Sequence, residues 1–328
     1  MINDQYKDVL NYIEKSEKIL VISHRKPDAD TLGAAISLRI WLGSMGKDVT
    51  LACIDEPTEG LEFFPHIAEY VQEFHVNDYD LRIIVDAGAS YMTNFHLKYP
   101  DFFEVSVPII NIDHHASNDN FGALNIVDPL ASSTTVILYR MFVALGVHID
   151  ADMATCLLAG IYGDTGGFMH SNTDMEVYKI SADLMEKGAN VTGITKSLFK
   201  SKSLETLKLW GKVLENVQVT SDGVVMSVVK DEDYEQVGSQ PENLGGVVDY
   251  LNMVPDVKFA VLLNEDRKGN VKGSFRTRQA DLDLSRIAAV FGGGGHPKAS
   301  GFMVPGKIQE SLKFTIVSDD LSKRSLDF

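Results

Sequence analysis

The chain has 328 residues, 45% of them hydrophobic, which suits two domains with an apolar core in each. Its 46 acidic and 30 basic side chains give a formal charge of −16, which argues against a sequence-independent grip on long nucleic acid, because that needs a broad basic surface. No run of eighteen apolar residues occurs, and the first residues lack the basic-then-apolar plan of a signal peptide, so a soluble, cytoplasmic protein with no membrane partner is expected.

An amphipathic helix is predicted over 4–16, then a buried strand at Lys18–Ser23 that runs into His24-Arg25-Lys26-Pro27-Asp28-Ala29-Asp30. Pro27 stiffens that turn, and a helix begins at Thr31 and ends near Gly46. Either Asp28 or Asp30 could serve as its N-cap. A second strand, Val49–Ile54, contains Cys53; this residue and Cys156 lie in apolar runs and read as free, buried thiols. A third strand, Leu81–Val85, closes on Asp86-Ala87-Gly88. A fourth, Val107–Ile112, is apolar on both faces and ends in Asp113-His114-His115. Ser132-Ser133-Thr134-Thr135 opens the next helix; one hydroxyl is an N-cap, and the helix start could also hold an anion. An apolar helix then ends in Gly163-Asp164-Thr165-Gly166-Gly167, and Thr173–Glu176 reads as a capping box before a helix that stops at Gly188. Residues 191–216 read as a helical connector broken at Ser201-Lys202-Ser203.

Beyond it the pattern is α+β. A hairpin turns at Asp222-Gly223, and a helix is predicted near Leu244–Asn252. A strand at Lys258–Asn264 and one carrying Arg276 and Arg278 follow, with a short helix Leu284–Phe291 leading into Gly292-Gly293-Gly294-Gly295-His296. The expected organisation is therefore a Rossmann-like α/β domain with a mainly parallel sheet (1–190), the connector (191–216) and a smaller α+β domain (217–328).

In open α/β sheets ligands bind outside the carboxyl ends of the strands, so the acids and histidines at these element ends should meet in one crevice. Such a group would repel itself without cations. Mixed carboxylate and imidazole ligands suit two divalent metals, Mn²⁺ best, with Mg²⁺, Co²⁺ or Fe²⁺ as alternatives. A metal pair about 3.5–4 Å apart is a known engine for phosphoester hydrolysis.

His24-x-x-Pro27-Asp28-x-Asp30, Asp86, Asp113-His114-His115 and Gly163-Asp164 resemble the four motifs of the DHH phosphoesterase family, and the glycine run with His296, Arg276 and Arg278 resembles the family's associated C-terminal domain. The resemblance implies that His24, Asp28 and Asp86 hold one metal. It assigns the other to Asp30, Asp86, His114 and Asp164, with Asp86 as the bridge. It makes Asp113 the group that orients His114, and puts His115 beside the scissile phosphate, to neutralise it or protonate the leaving group. Ala34, Ala87 and Ala89 depart from residues frequent in relatives, without loss of an assigned ligand.

In the second domain, the glycine run Gly293, Gly294 and Gly295 with His296 could surround an anion with N–H donors, and Arg276 and Arg278 could anchor a phosphate through their planar forks. The compact domain pair resembles the nanoRNase group of the family, whose substrates are short RNAs, dinucleotides such as pApA and pGpG, and adenosine 3′,5′-bisphosphate. A pyrophosphatase or exopolyphosphatase, a cyclic dinucleotide phosphodiesterase and a non-enzymatic nucleotide sensor are the competing readings. Homodimerisation is left open.

Overall fold

The computed structural model describes residues 2–57, 60–104, 106–199, 202–309, 313–318 and 321–327. The chain forms two units, Met1–Ser201 and Lys202–Phe328.

The first unit begins with α1 (Ile2–Glu14), β1 (Lys18–Ile22), α2 (Ala29–Ser44), β2 (Asp48–Ala52), β3 (Leu81–Val85) and a short α3 (Phe95–Lys98). It continues through β4 (Ile109–Asp113), β5 (Leu124–Val127), α4 (Thr134–Ala144), α5 (Ala151–Asp164), α6 (Met175–Glu186) and α7 (Val191–Phe199). The five strands form one parallel sheet in the order β2-β1-β3-β4-β5. Side chains alternate across a strand, so β1, β3 and β4 feed two cores. Ile19, Val21, Ile83, Val85, Ile110 and Ile112 join one that also includes residues of α2, α4 and α5. Leu20, Ile22, Ile84 and Ile109 join the other, with Phe74, Phe95 and Phe102. Arg82 is buried in β3; its guanidinium donates to the main-chain oxygens of Phe102 and Val107 and lies 5.1 Å from the Phe102 ring.

The helices α2 and α5 pack closely because small residues meet. A Cβ on Gly33 would stand 2.3 Å from the main-chain oxygen of Cys156. One on Gly160 would stand 2.5 Å from Asp30 Oδ1 and from Thr135. This approach sets the start of α2 beside the end of α5.

The second unit contains α8 (Leu204–Glu215), β6 (Gln218–Val219), β7 (Val224–Val229), α9 (Asp231–Val237), α10 (Val247–Leu251), β8 (Phe259–Glu265) and β9 (Asn270–Arg276). Then come α11 (Leu284–Val290), β10 (Gly294–His296) and β11 (Ala299–Pro305), with β12 (Lys313–Ser318) and β13 (Leu321–Asp327) forming a separate antiparallel pair. The main sheet has the order β10-β11-β9-β8-β7-β6; β7 and β8 are parallel and the other neighbours antiparallel.

Several boundaries differ from the sequence reading. The 191–216 stretch divides between the units: Ile194 of α7 enters the first core, whereas Leu209 and Val213 of α8 enter the second. The capping box expected over Thr173–Glu176 does not form: Asp174 is the N-cap, its carboxylate accepting from the Val177 N–H, and Glu176 is held by Arg140. The helix expected over 244–252 starts at Val247, since Gly246 takes a left-handed φ of 88°. The glycine run is partly strand: β10 pairs with β11, and a Cβ on Gly293 would meet the Gly301 oxygen at 2.2 Å.

Gly33→Ala should destabilise the protein by about 1–3 kcal/mol, because overpacking against main-chain atoms outweighs the better helix propensity of alanine. Gly211, in α8, has open space where its Cβ would go, so Gly211→Ala should instead gain up to about 1 kcal/mol. Denaturant midpoints of the two variants compare these directly; equal shifts would show that close helix approach at Gly33 is unimportant.

Candidate metal centre

The sheet order reverses between β1 and β3, and this switch point is where the sheet opens a crevice at its carboxyl end. His24 lies two residues beyond β1, Asp86 directly follows β3, and Asp113 closes β4 ahead of His114 and His115. Asp28 and Asp30 stand at the start of α2, and Asp164 is the last residue of α5. Strand ends and helix termini thus deliver all eight side chains to one place.

Three groups of donor atoms form there, each within 4.8 Å: His24, Asp28 and Asp86; Asp30, His114 and Asp164; and Asp86, His114 and His115. The two oxygens of Asp86 face different imidazoles. Its Oδ2 lies 3.4 Å from His24 Nε2, and its Oδ1 lies 3.5 Å from His114 Nε2. Asp164 Oδ2 is 3.2 Å from His114 Nε2, and Asp28 Oδ2 is 3.7 Å from His24 Nε2. Both histidines turn Nδ1 to a main-chain oxygen, His24 to Arg25 at 2.7 Å and His114 to Ala131 at 3.4 Å. A ring nitrogen anchored in this way leaves Nε2 as the ligand atom, which is how metal-binding imidazoles are commonly oriented.

The electrostatics fit a cation. Asp30 is wholly buried, and burial followed by the nearby Asp86 raises its pKa to about 7. Burial, with Asp30 and Asp86, likewise pushes Asp164 well above the carboxylate range. Burial opposes the charged form of His24, yet hydrogen bonds to Asp28 and Asp86 prevail and raise it to about 11. The acids draw positive charge from protons and imidazoles; divalent cations supply it more directly, and oxygen with imidazole donors suits them. Donor atoms 3–4 Å apart also match ligands that share one cation roughly 2 Å from each.

Asp113 departs from the sequence reading, which assigns it to His114. Its Oδ1 lies 2.7 Å from Nδ1 of His115, because side chains two apart leave a strand end on the same side. The hydrogen bond to the Asp113 carboxylate raises His115 to about 9 against burial. The other oxygen of Asp113 accepts from Asn118 Nδ2 at 2.6 Å, and Asn118 also donates to Asn111 Oδ1 at 2.8 Å. Asn118 lies outside the four motifs, and nothing in its spacing marks it as a partner of Asp113.

Asp28 does both things the sequence left open. Its Oδ1 caps α2, accepting from the Asp30 and Thr31 N–H groups at 3.0 and 3.1 Å, while Oδ2 faces His24. Ser133 is the N-cap of α4. The anion at that helix start is the chain's own: Asp30 accepts from the N–H groups of Thr134 and Thr135 at 2.6 and 3.0 Å, and from Thr135 Oγ1 at 2.7 Å.

The remaining predicted residues lie in the second unit. Arg276 pairs with Ala299 and Ala299 with His296 across adjacent strands, so Arg276 and His296 share one row and one face of the sheet. Arg276 Nε donates to Asp249 Oδ1 at 2.8 Å, and its Nη1 to the Phe275 oxygen at 2.9 Å. Arg278 Nη2 donates to the Asn252 oxygen. His296 Nδ1 accepts from the Lys298 N–H at 3.3 Å. Asp249 partly neutralises Arg276, a contact that sequence spacing could not reveal.

Similarity to known proteins agrees with this architecture. The DHH family, N-terminal domain, matches residues 18–161, and the DHHA1 domain matches 221–316. A bifunctional oligoribonuclease and PAP phosphatase, NrnA, of Thermus thermophilus is 30% identical over 289 residues, covering 88% of this chain and 84% of that protein. The Bacillus subtilis protein of the same name is 25% identical, covering 90% and 91%. The crystal structure of an exopolyphosphatase-related protein from Bacteroides fragilis superposes with a TM-score of 0.87 at 26% identity, covering 93% and 92%. With both domains matched in order and a 30% identical relative covered over most of its length, this chain belongs to the DHH family of metal-dependent phosphoesterases.

Proposed function

We propose that this enzyme hydrolyses short oligoribonucleotides and dinucleotides such as pApA and pGpG to mononucleotides, and removes the 3′-phosphate of adenosine 3′,5′-bisphosphate. The observation that carries the reading is Asp86, whose two oxygens face His24 on one side and His114 on the other. A single buried carboxylate so placed can serve two cations. His24, Asp28 and Asp86 would hold one, and Asp30, Asp86, His114 and Asp164 the other, with Mn²⁺ preferred for the mixed oxygen and nitrogen set. The substrate class is supported by the names of the Thermus and Bacillus relatives.

When bound, the two cations supply Lewis-acid stabilisation of charge on the phosphoryl group. The chain's own residues do the rest. His115, whose Nδ1 is held by Asp113 and whose pKa that contact raises to about 9, carries a second proton on Nε2 for a phosphate oxygen or the leaving oxygen. Asn118 fixes Asp113, and so the ring it carries. In the second unit Arg276, Arg278, the Gly293–Gly295 segment and His296 would bind a phosphate group, with Asp249 and the Asn252 oxygen orienting the guanidinium groups.

A second reading, exopolyphosphatase or pyrophosphatase activity, is favoured by the likeness to the exopolyphosphatase-related protein of Bacteroides fragilis. Mn²⁺-dependent release from pApA, adenosine 3′,5′-bisphosphate, pyrophosphate and polyphosphate, assayed side by side, separates the two. The nucleotides should turn over at least tenfold faster, and Asp86→Ala should lose about 10³-fold in rate, the scale of removing a principal transition-state stabiliser. Preferential attack on polyphosphate would replace the nucleotide reading.

His114 and His115 should differ. His114→Ala should lose bound metal, whereas His115→Ala should keep two ions per chain and lose turnover; equal metal loss, measured by elemental analysis, would reject this division of roles. Alanine at both Arg276 and Arg278 should lower kcat/KM for pApA by roughly 2–4 kcal/mol, from two charge-assisted contacts. Hydrolysis of bis-p-nitrophenyl phosphate, which has no second phosphate, should barely change. Proportional loss of both activities would place these arginines in the chemistry and not in selection.

A further inference from the structure

The first turn of α4 touches the candidate metal centre through a residue outside the four motifs. Thr134 is fully buried, and its two donors reach two different acids. Its N–H donates to Asp30 Oδ2 at 2.6 Å, and its hydroxyl donates to Asp86 Oδ1 at 3.0 Å. Asp30 and Asp86 come from motifs 56 residues apart (86 − 30), so Thr134 ties together side chains that the chain brings in separately.

Asp86 needs such a tie. Its backbone is in the left-handed region, with φ of 57°, and its N–H donates to the Ile112 oxygen at 2.9 Å. Those features fix the main chain, and the imidazoles of His24 and His114, at 3.4 and 3.5 Å from its oxygens, hold the carboxylate plane only loosely, because the terminal torsion of aspartate is broad. A carboxylate turned by a quarter would no longer aim one oxygen at His24 and the other at His114. The Thr134 hydroxyl occupies one lone-pair direction of Oδ1 and thereby sets the plane. The threonine is itself held in place, since it is fully buried and its N–H is bonded to Asp30.

We propose that Thr134 is a positioning residue for the shared carboxylate: its hydroxyl holds Asp86 in the orientation that allows two cations to be bound together. The inference rests on the two-metal reading of the site. Thr134→Val keeps the shape and the main-chain donor to Asp30 but removes the hydroxyl. Losing a hydrogen bond that orients a ligand commonly weakens metal affinity about 10–100-fold. That loss should fall on the second Mn²⁺ to bind, because a misoriented Asp86 can still serve one ion.

Calorimetric Mn²⁺ titration of the full chain, with low-temperature electron paramagnetic resonance of the same samples, tests this without an activity assay. Wild type should bind two ions and give the spectrum of an exchange-coupled pair. Thr134→Val should bind its second ion about 10–100-fold more weakly, with the coupled spectrum lost at intermediate Mn²⁺, and Thr134→Ser should restore both. Thr134→Ala, which cannot clash, serves as the same probe if valine disturbs folding. A wild-type isotherm for Thr134→Val and Thr134→Ala would overturn the assignment. So would equal weakening in Thr134→Ser, which would locate the effect in the methyl group. Failure of wild type to bind two ions would overturn this inference and the two-metal reading together. Two-ion binding without nucleotide hydrolysis would remove the substrate proposal, and the hydroxyl-dependent isotherms would still support Thr134.

Discussion

Carboxylates that repel one another must be held within a few ångströms at the mouth of a parallel sheet, and much of the first unit follows from that requirement. Asp30 and Asp86 are buried and Asp164 is half-buried, all around His24 and His114. Left in water, such groups would separate; here they are delivered by rigid elements whose ends cannot drift. The strand order reverses between β1 and β3, which opens the space they occupy. Gly33 and Gly160 allow α2 and α5 to close until the two helix ends that carry Asp30 and Asp164 stand side by side. The left-handed backbone at Asp86 is part of the same cost, of order 1 kcal/mol, and aspartate tolerates that conformation better than most residues.

The acids are also built into the helices they begin. Asp28 gives one oxygen to the N-terminus of α2 and turns the other toward His24. Asp30 takes the N–H groups that open α4, so the positive end of that helix stabilises a charge from within the chain and not one from a substrate. This arrangement offsets part of the desolvation of Asp30 while leaving the imidazole-facing side of the cluster for cations. The histidines complement it, each turning Nδ1 to a carbonyl and Nε2 to the acids. His115 differs in the one respect that matters chemically. Its Nδ1 is held by an acid, which favours a protonated ring suited to a phosphate.

The second unit manages charge in a different way. Arg276 is paired with Asp249, and Arg278 is fastened to a main-chain oxygen, so both guanidinium groups have a defined direction before any ligand arrives. Such preorganisation reduces the ordering cost of binding an anion. The glycines at 293 and 295 are needed for the tight pairing of β10 with β11, and their use in binding an anion would be an addition to that structural role.

The parallel domain and the positions of its acids and histidines could be read from the chain, because buried strands are continuous apolar runs and each run stops on a residue of unmistakable chemistry. Asp86 after Leu81–Val85 and Asp113-His114-His115 after Ile109–Ile112 are of this kind. Sheet geometry then made their convergence a fair deduction, and the family resemblance followed from the same residues. Short elements were not legible: β5 has four residues and lies partly exposed, and the helix near 247 depends on a single glycine conformation. Partner choice was not legible either. Whether Asp113 holds His114 or His115, whether Arg276 is met by an acid, and whether the hydroxyls of 132–135 serve a substrate or Asp30 and Asp86 all turn on contacts between residues distant in sequence or on side-chain direction at a strand end. Local pattern determines which groups arrive at the crevice; only packing of α4 and α5 on the sheet decides which atoms meet there.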